Sequence, residues 1–185
     1  MTTLTDSLKV HEFGENLQQY DLNFENLVIR SKTKEFSKRV DDSGLSIKMG
    51  ISGTESYFID NERFNVTPEH FLVVNKHRQF DCYLKSEEDV EAICLYVSTK
   101  IVKEVYAHWA KGFNQQLNNP FEWQKENPVF SEKLSSMSES ELGLFLTKLR
   151  AQLIQSNGNT SLNFNGFYYT LAEKLILSQI KINRQ

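Results

Sequence analysis

The amino-acid sequence predicts a mainly β plus α fold. A small antiparallel β-barrel is expected over residues 23–98, an α-helical region with an antiparallel helix pair over 99–185, and a separate N-terminal segment over 1–22. Three observations carry this. Up to Val97, apolar residues alternate with polar ones, the period of a strand with one apolar face. Turn-forming residues punctuate that region at short intervals, as in sandwiches and barrels. Beyond Val97 the apolar spacing lengthens to that of a helix.

The strands follow in order. Asn26 to Arg30 and Phe36 to Val40 are the weaker ones. Leu45, Ile47, Met49 and Ile51 alternate with Ser46, Lys48 and Gly50, and Gly53 interrupts the pattern. Ser56 to Ile59 and Phe64 to Val66 form a hairpin about Asp60-Asn61. Pro68 marks a turn at 67–70. Phe71-Leu72-Val73-Val74 is continuously apolar, which suggests burial of both faces. Phe80, Cys82 and Leu84 alternate again. The acidic run from Ser86 to Glu91 reads as a loop, and Ala92 to Val97 as a strongly β-forming strand.

Ser98 or Thr99 can cap a helix carrying Ile101, Val102, Val105, Tyr106 and Trp109, with Gly112 as its stop. A polar stretch follows, with Phe113, Phe121, Trp123 and Phe130 as anchors. Ser138-x-x-Glu141 resembles a capping box before the stripe Leu142, Phe145, Leu146, Leu149 and Leu153, and Asn157-Gly158 ends that helix. The last helix begins near Asn165, carries Leu171, Leu175 and Ile180, and has Lys181 and Arg184 at its negative end. Leu142, Phe145, Leu149, Leu171 and Leu175 are the candidate dimerisation residues. Pattern alone leaves open whether these stripes meet a second copy or the chain's own barrel.

Composition narrows the function classes. The net charge of -3 argues against a domain that grips nucleic acid by itself. A basic cluster, Arg30, Lys32, Lys34, Lys38 and Arg39, is interrupted by Glu35 and reads as a solvated face. Cys82 and Cys94 lie in apolar strands without CxxC spacing and read as buried thiols in a reducing, cytoplasmic setting. No apolar run reaches membrane-spanning length, and the N-terminus has no signal-peptide pattern.

The four histidines, His11, His70, His77 and His108, show neither HxH nor HExxH, so no metal ligands are assigned. No GxSxG, GxGxxG or P-loop occurs. Catalytic residues and cofactors are therefore expected to be none. What remains is a cavity in the barrel, with Tyr57, Asn75, His77 and Tyr96 as candidate ligand-binding residues.

These features resemble the sensor domain of AraC-type transcription regulators. The resemblance rests on Leu45 to Gly53, Tyr57-Phe58-Ile59-Asp60 with its turn, and Pro68-Glu69-His70 leading into Phe71 to Asn75. It continues through Ile93 to Val97 into the Ile101 to Trp109 helix, and residues 139–182 resemble the family's dimerising helices. The family usually has Pro-Gly-Asp where this chain has Pro68-Glu69-His70. The resemblance implies a cupin-like barrel, a small-molecule effector and a homodimer. It also implies DNA contact only through helix-turn-helix units that would follow Gln185 and are missing here, as if the chain were trimmed to its sensor. Two other readings stand beside it. One is a metal-dependent cupin enzyme using His70 and His77; the other is a structural dimerisation module with a solid barrel.

Overall fold

The computed structural model describes residues 7–8, 10–13, 26–110, 128–155, 162–163 and 166–179. The strands are β1 (Ser7–Leu8), β2 (Val10–Phe13), β3 (Leu27–Val40), β4 (Ser46–Ser52), β5 (Glu55–Ile59), β6 (Glu62–Val66), β7 (His70–Val74), β8 (Phe80–Tyr96), β9 (Leu134–Ser136) and β10 (Leu162–Asn163). The helices are α1 (Thr99–Ala110), α2 (Glu141–Gln155) and α3 (Phe167–Gln179). The main sheet runs β2-β3-β8-β4-β7-β9, with β5 on β8 and β6 on β5, and it curls into a nearly closed barrel. All its pairings are antiparallel except β2 with β3.

The longest ladder departs from the sequence reading. The weak strands at 26–30 and 36–40 are one strand, and the expected loop at 86–91 is the middle of β8. The charges explain this. The basic residues of β3 face the acidic ones of β8, with Lys32 opposite Glu91 and an ion pair between Arg30 and Glu91. Lys32 Nζ also reaches Asp89 at 3.8 Å. Opposite charges across two strands stabilise the pairing, so polarity here marks an exposed ribbon and not a loop.

The β5–β6 hairpin turns at Asp60-Asn61, both at positive φ (48° and 68°), the backbone that a tight two-residue hairpin needs. Phe71 to Val74 are buried on both faces, as their continuous apolarity implies. Phe71 and Val73 join the core beneath the helices, and Leu72 and Val74 join the one inside the barrel.

Alternation in β4 works differently from a half-exposed strand. Ile47 and Met49 face the helices, but Ser46 and Lys48 are buried too. The helix-side core brings β4, β7 and β8 together with Leu142, Leu146, Leu149 and Leu153 of α2 and Phe167, Leu171, Leu175 and Ile176 of α3. Each such buried side chain contributes about 1.5–3 kcal/mol. The candidate dimerisation residues Leu142, Leu149, Leu171 and Leu175 thus lie inside the chain's own core, with Phe145 packed against it and stacked on Phe167.

Ser140 caps α2, its Oγ accepting the Gly143 amide hydrogen at 2.9 Å; Ser138, the expected cap, is exposed and bonded to Ser136. Arg150 fastens α2 to the barrel, Nη1 donating to the Gly50 carbonyl at 2.8 Å and the Pro68 carbonyl at 2.5 Å. The stops at Gly112 and Asn157-Gly158, the anchors Phe113, Phe121 and Trp123, and the end of the last stripe at Ile180 lie outside the described residues.

Candidate ligand cavity

The barrel holds a half-open cavity of about 320 Å³ walled by β3, β4, β5, β8 and the 41–44 turn, within the range of small-molecule sites. Its apolar wall includes Ile29 and Phe36 from β3 and Phe80, Leu84 and Ala92 from β8. Besides the polar residues of β3 and of the 41–43 turn, its polar groups are Lys48, Glu55, Tyr57, Cys82, Cys94 and Tyr96, which shape the chemistry.

Lys48 is the central group. Its residue is only 4% exposed, and the ammonium lies 4.9 Å from the Tyr96 ring centre, 5.3 Å from Phe80 and 5.7 Å from Tyr57. Each such contact is worth about 0.5–2 kcal/mol in a desolvated place. Nζ also donates to Cys94 Sγ at 2.9 Å. Burial works against the charge, but the Cys94 sulfur, the Tyr96 oxygen and the Glu55 carboxylate outweigh it and hold the ammonium above the usual lysine range. The site therefore presents a cation at neutral pH, with the rings of Tyr57, Phe80 and Tyr96 around it.

Glu55 is set on β5, which pairs with β8. Its Oε2 accepts the Tyr57 hydroxyl at 2.7 Å and its Oε1 accepts the Cys82 thiol at 3.1 Å. Burial, followed by the Glu55 charge, pushes both Tyr57 and Cys82 above their ordinary ranges. Burial also raises Tyr96, with the Cys94 sulfur adding to the shift and the Lys48 ammonium opposing it. Tyr57 and the Cys82 thiol therefore stay protonated and donate to Glu55.

Of the four residues proposed from sequence, the structure brings Tyr57 and Tyr96 into the cavity wall and leaves Asn75 and His77 outside it. Asn75 is a clamp: Nδ2 donates to the Phe130 carbonyl and Oδ1 accepts the Phe130 amide hydrogen, both at 2.9 Å. His77 sits exposed in a turn at φ 63°, with Nδ1 2.9 Å from Asp42 Oδ1. His70 Nδ1 contacts the Thr67 hydroxyl at 3.1 Å and does not line the cavity. Among the described residues no group of three or more His, Cys, Asp or Glu could hold a metal ion.

Sequence reasoning missed Lys48, Glu55, Cys82 and Cys94. The usable signal was a lysine in the middle of an otherwise apolar strand, Leu45 to Ile51. A barrel strand covered by helices has no solvent face along its length, so its polar alternates turn into the interior.

A small barrel with an apolar cavity and a few convergent polar groups defines a ligand-holding class of domain. The chain belongs to the AraC-like ligand binding domain family, whose sequence model matches residues 27–155. It is similar in structure to an apo variant of ToxT from Vibrio cholerae strain SCE256, at 13% identity and a TM-score of 0.49, covering 82% of this chain and 53% of that one. The AraC-like transcriptional activator CuxR is similar at 12% identity and a TM-score of 0.50, covering 81% of this chain and 50% of that one. A Cupin_2 domain of an XRE family regulator from Enterobacter cloacae matches 36% of this chain and 73% of its own length, at 14% identity and a TM-score of 0.33. The chain spans about half the length of the two AraC-type proteins. No curated protein matches the sequence. Family membership makes this a ligand-binding domain of the AraC-like type.

Proposed function

We propose that the barrel receives a small effector with an apolar body and one hydrogen-bond-accepting head group, and that its occupancy controls a cytoplasmic bacterial transcription regulator acting as a homodimer on DNA. The observation that carries this is the buried Lys48 ammonium at the wall of an apolar cavity. A buried charge costs several kcal/mol of solvation, a cost a folding core has no use for but a recognition site does. The head group faces Nζ, and the body lies along Phe36, Phe80 and Leu84. Arg150 links the barrel to α2 through the Gly50 and Pro68 carbonyls, a route by which filling the barrel can bias the helices. The domain senses and does not catalyse.

Pairing of two copies uses surfaces other than Leu142, Phe145, Leu149, Leu171 and Leu175, which the chain's own core takes up. Exposed apolar side chains remain on the helices: Leu144 and Ile154 on α2, Tyr169 and Leu177 on α3.

The test is a thermal-shift and calorimetric screen of short aliphatic and aromatic carboxylates against their matching amides and hydrocarbons. Lys48→Met should weaken binding of the accepting ligands about 10- to 100-fold, the value of one hydrogen bond to a charged group, and leave hydrocarbon binding unchanged. Equal loss for both series, or no binding in the cavity at all, refutes the reading.

A further inference from the structure

Two cysteines line one cavity in opposite surroundings. Lys48 of β4 and Cys94 of β8 are direct partners in the antiparallel ladder, so the backbone register puts both side chains on one face. Nζ and Sγ are 2.9 Å apart, a spacing usual for a nitrogen bonded to the smaller oxygen atom. Lys48 is buried, with its ammonium among three rings. Cys82 instead donates to the Glu55 carboxylate. Reactive thiols sit beside cations in partly accessible places, which is the position of Cys94 and not of Cys82.

We propose that Lys48 and Cys94 form an oxidation site, at which a hydroperoxide (hydrogen peroxide is the simplest) joins Nζ to Sγ through one bridging oxygen atom. The Cys94 thiolate first attacks a peroxide oxygen. The O–O bond breaks, an S–O bond forms, and sulfur is oxidised to a sulfenic acid. The departing hydroxide takes a proton from the Lys48 ammonium and becomes water, leaving a free amine. The amine nitrogen then bonds to the sulfenic oxygen. One hydrogen from nitrogen and one from the S–OH group leave with two electrons, and a second peroxide accepts them as its O–O bond breaks to give two waters. The product is an N–O–S link. One bridging atom fits the observed separation, whereas a direct S–N bond requires the strands to draw closer.

The link removes the ammonium from the cavity and ties β4 to β8. If the effector reading holds, it also blocks the head-group position, but the link forms without any effector, so the two claims fail separately. The test treats the whole chain with hydrogen peroxide and measures intact mass, followed by peptide mapping. One oxygen gained with two hydrogens lost is expected, with the peptides containing Lys48 and Cys94 joined and released by dithiothreitol. Cys94→Ser and Lys48→Met should abolish the adduct, and Cys82→Ser should retain it. Mapping of the unsubstituted chain decides the matter even if a variant misfolds. A Cys82–Cys94 disulfide, which loses two hydrogens and gains no oxygen, overturns the proposal. So does a sulfinic or sulfonic acid on Cys94 beside an unmodified Lys48.

Discussion

Gly143→Ala tests how α2 is seated, because two physical effects oppose each other there. Gly143 lies in the first turn of α2, and alanine in place of glycine favours a helix by about 1 kcal/mol. Against this, a Cβ at Gly143 would lie 2.6 Å from the carbonyl oxygens of both Ser136 and Met137. Neither carbonyl is free to retreat. Ser136 is paired with His70 in the β7–β9 ladder, and the Met137 amide donates to the Glu69 carbonyl at 2.9 Å. Relief must come from moving α2, which draws Arg150 away from Gly50 and Pro68. Overpacking of this kind costs about 1–3 kcal/mol. With the contact aimed at two held backbone atoms, a net loss of about 1–2 kcal/mol is expected once propensity is subtracted. For a chain of this size that lowers Tm by about 2–8 °C. Urea and thermal unfolding of the two proteins measure it. A Tm equal to or above that of the unsubstituted chain would show that α2 is not held against β9 as described.

Three further outcomes follow from the same structure. Arg150→Met removes a charged donor from two carbonyls and should cost about 2–3 kcal/mol in urea unfolding; an unchanged midpoint would mean that the link is not formed in solution. Leu171→Ala, at a fully buried site shared by barrel and helices, should cost about 3–5 kcal/mol, and a loss near zero would contradict the shared core. Alkaline pH should destabilise the fold. Burial raises Tyr57, Tyr96 and Tyr168 above the ordinary 10.0 and Cys82 above 9.0, so the unfolded chain releases these protons first. Their contribution is complete below those ordinary values and is lost as pH rises past them; urea midpoints that stay level from about pH 8 to 11 would count against burial of these groups.

Much of this architecture was legible because local patterns report local backbone. The alternation around Leu45 to Ile51, the turn at Asp60-Asn61 and the helical stripes are short-range consequences of residue order. The β3–β8 ribbon was misread since its charges satisfy one another across strands, and the partner of a strand is not written in the strand itself.

The sequence by itself determined which faces are apolar, where the period changes after Val97, and the absence of familiar catalytic motifs. Only the tertiary structure decided which face of β4 meets the helices and which lines a cavity, and so that Lys48 stands against Cys94 and three rings, while Asn75 and His77 stand elsewhere. Periodicity distinguishes two sides of a strand. What each side touches depends on how distant segments close around it.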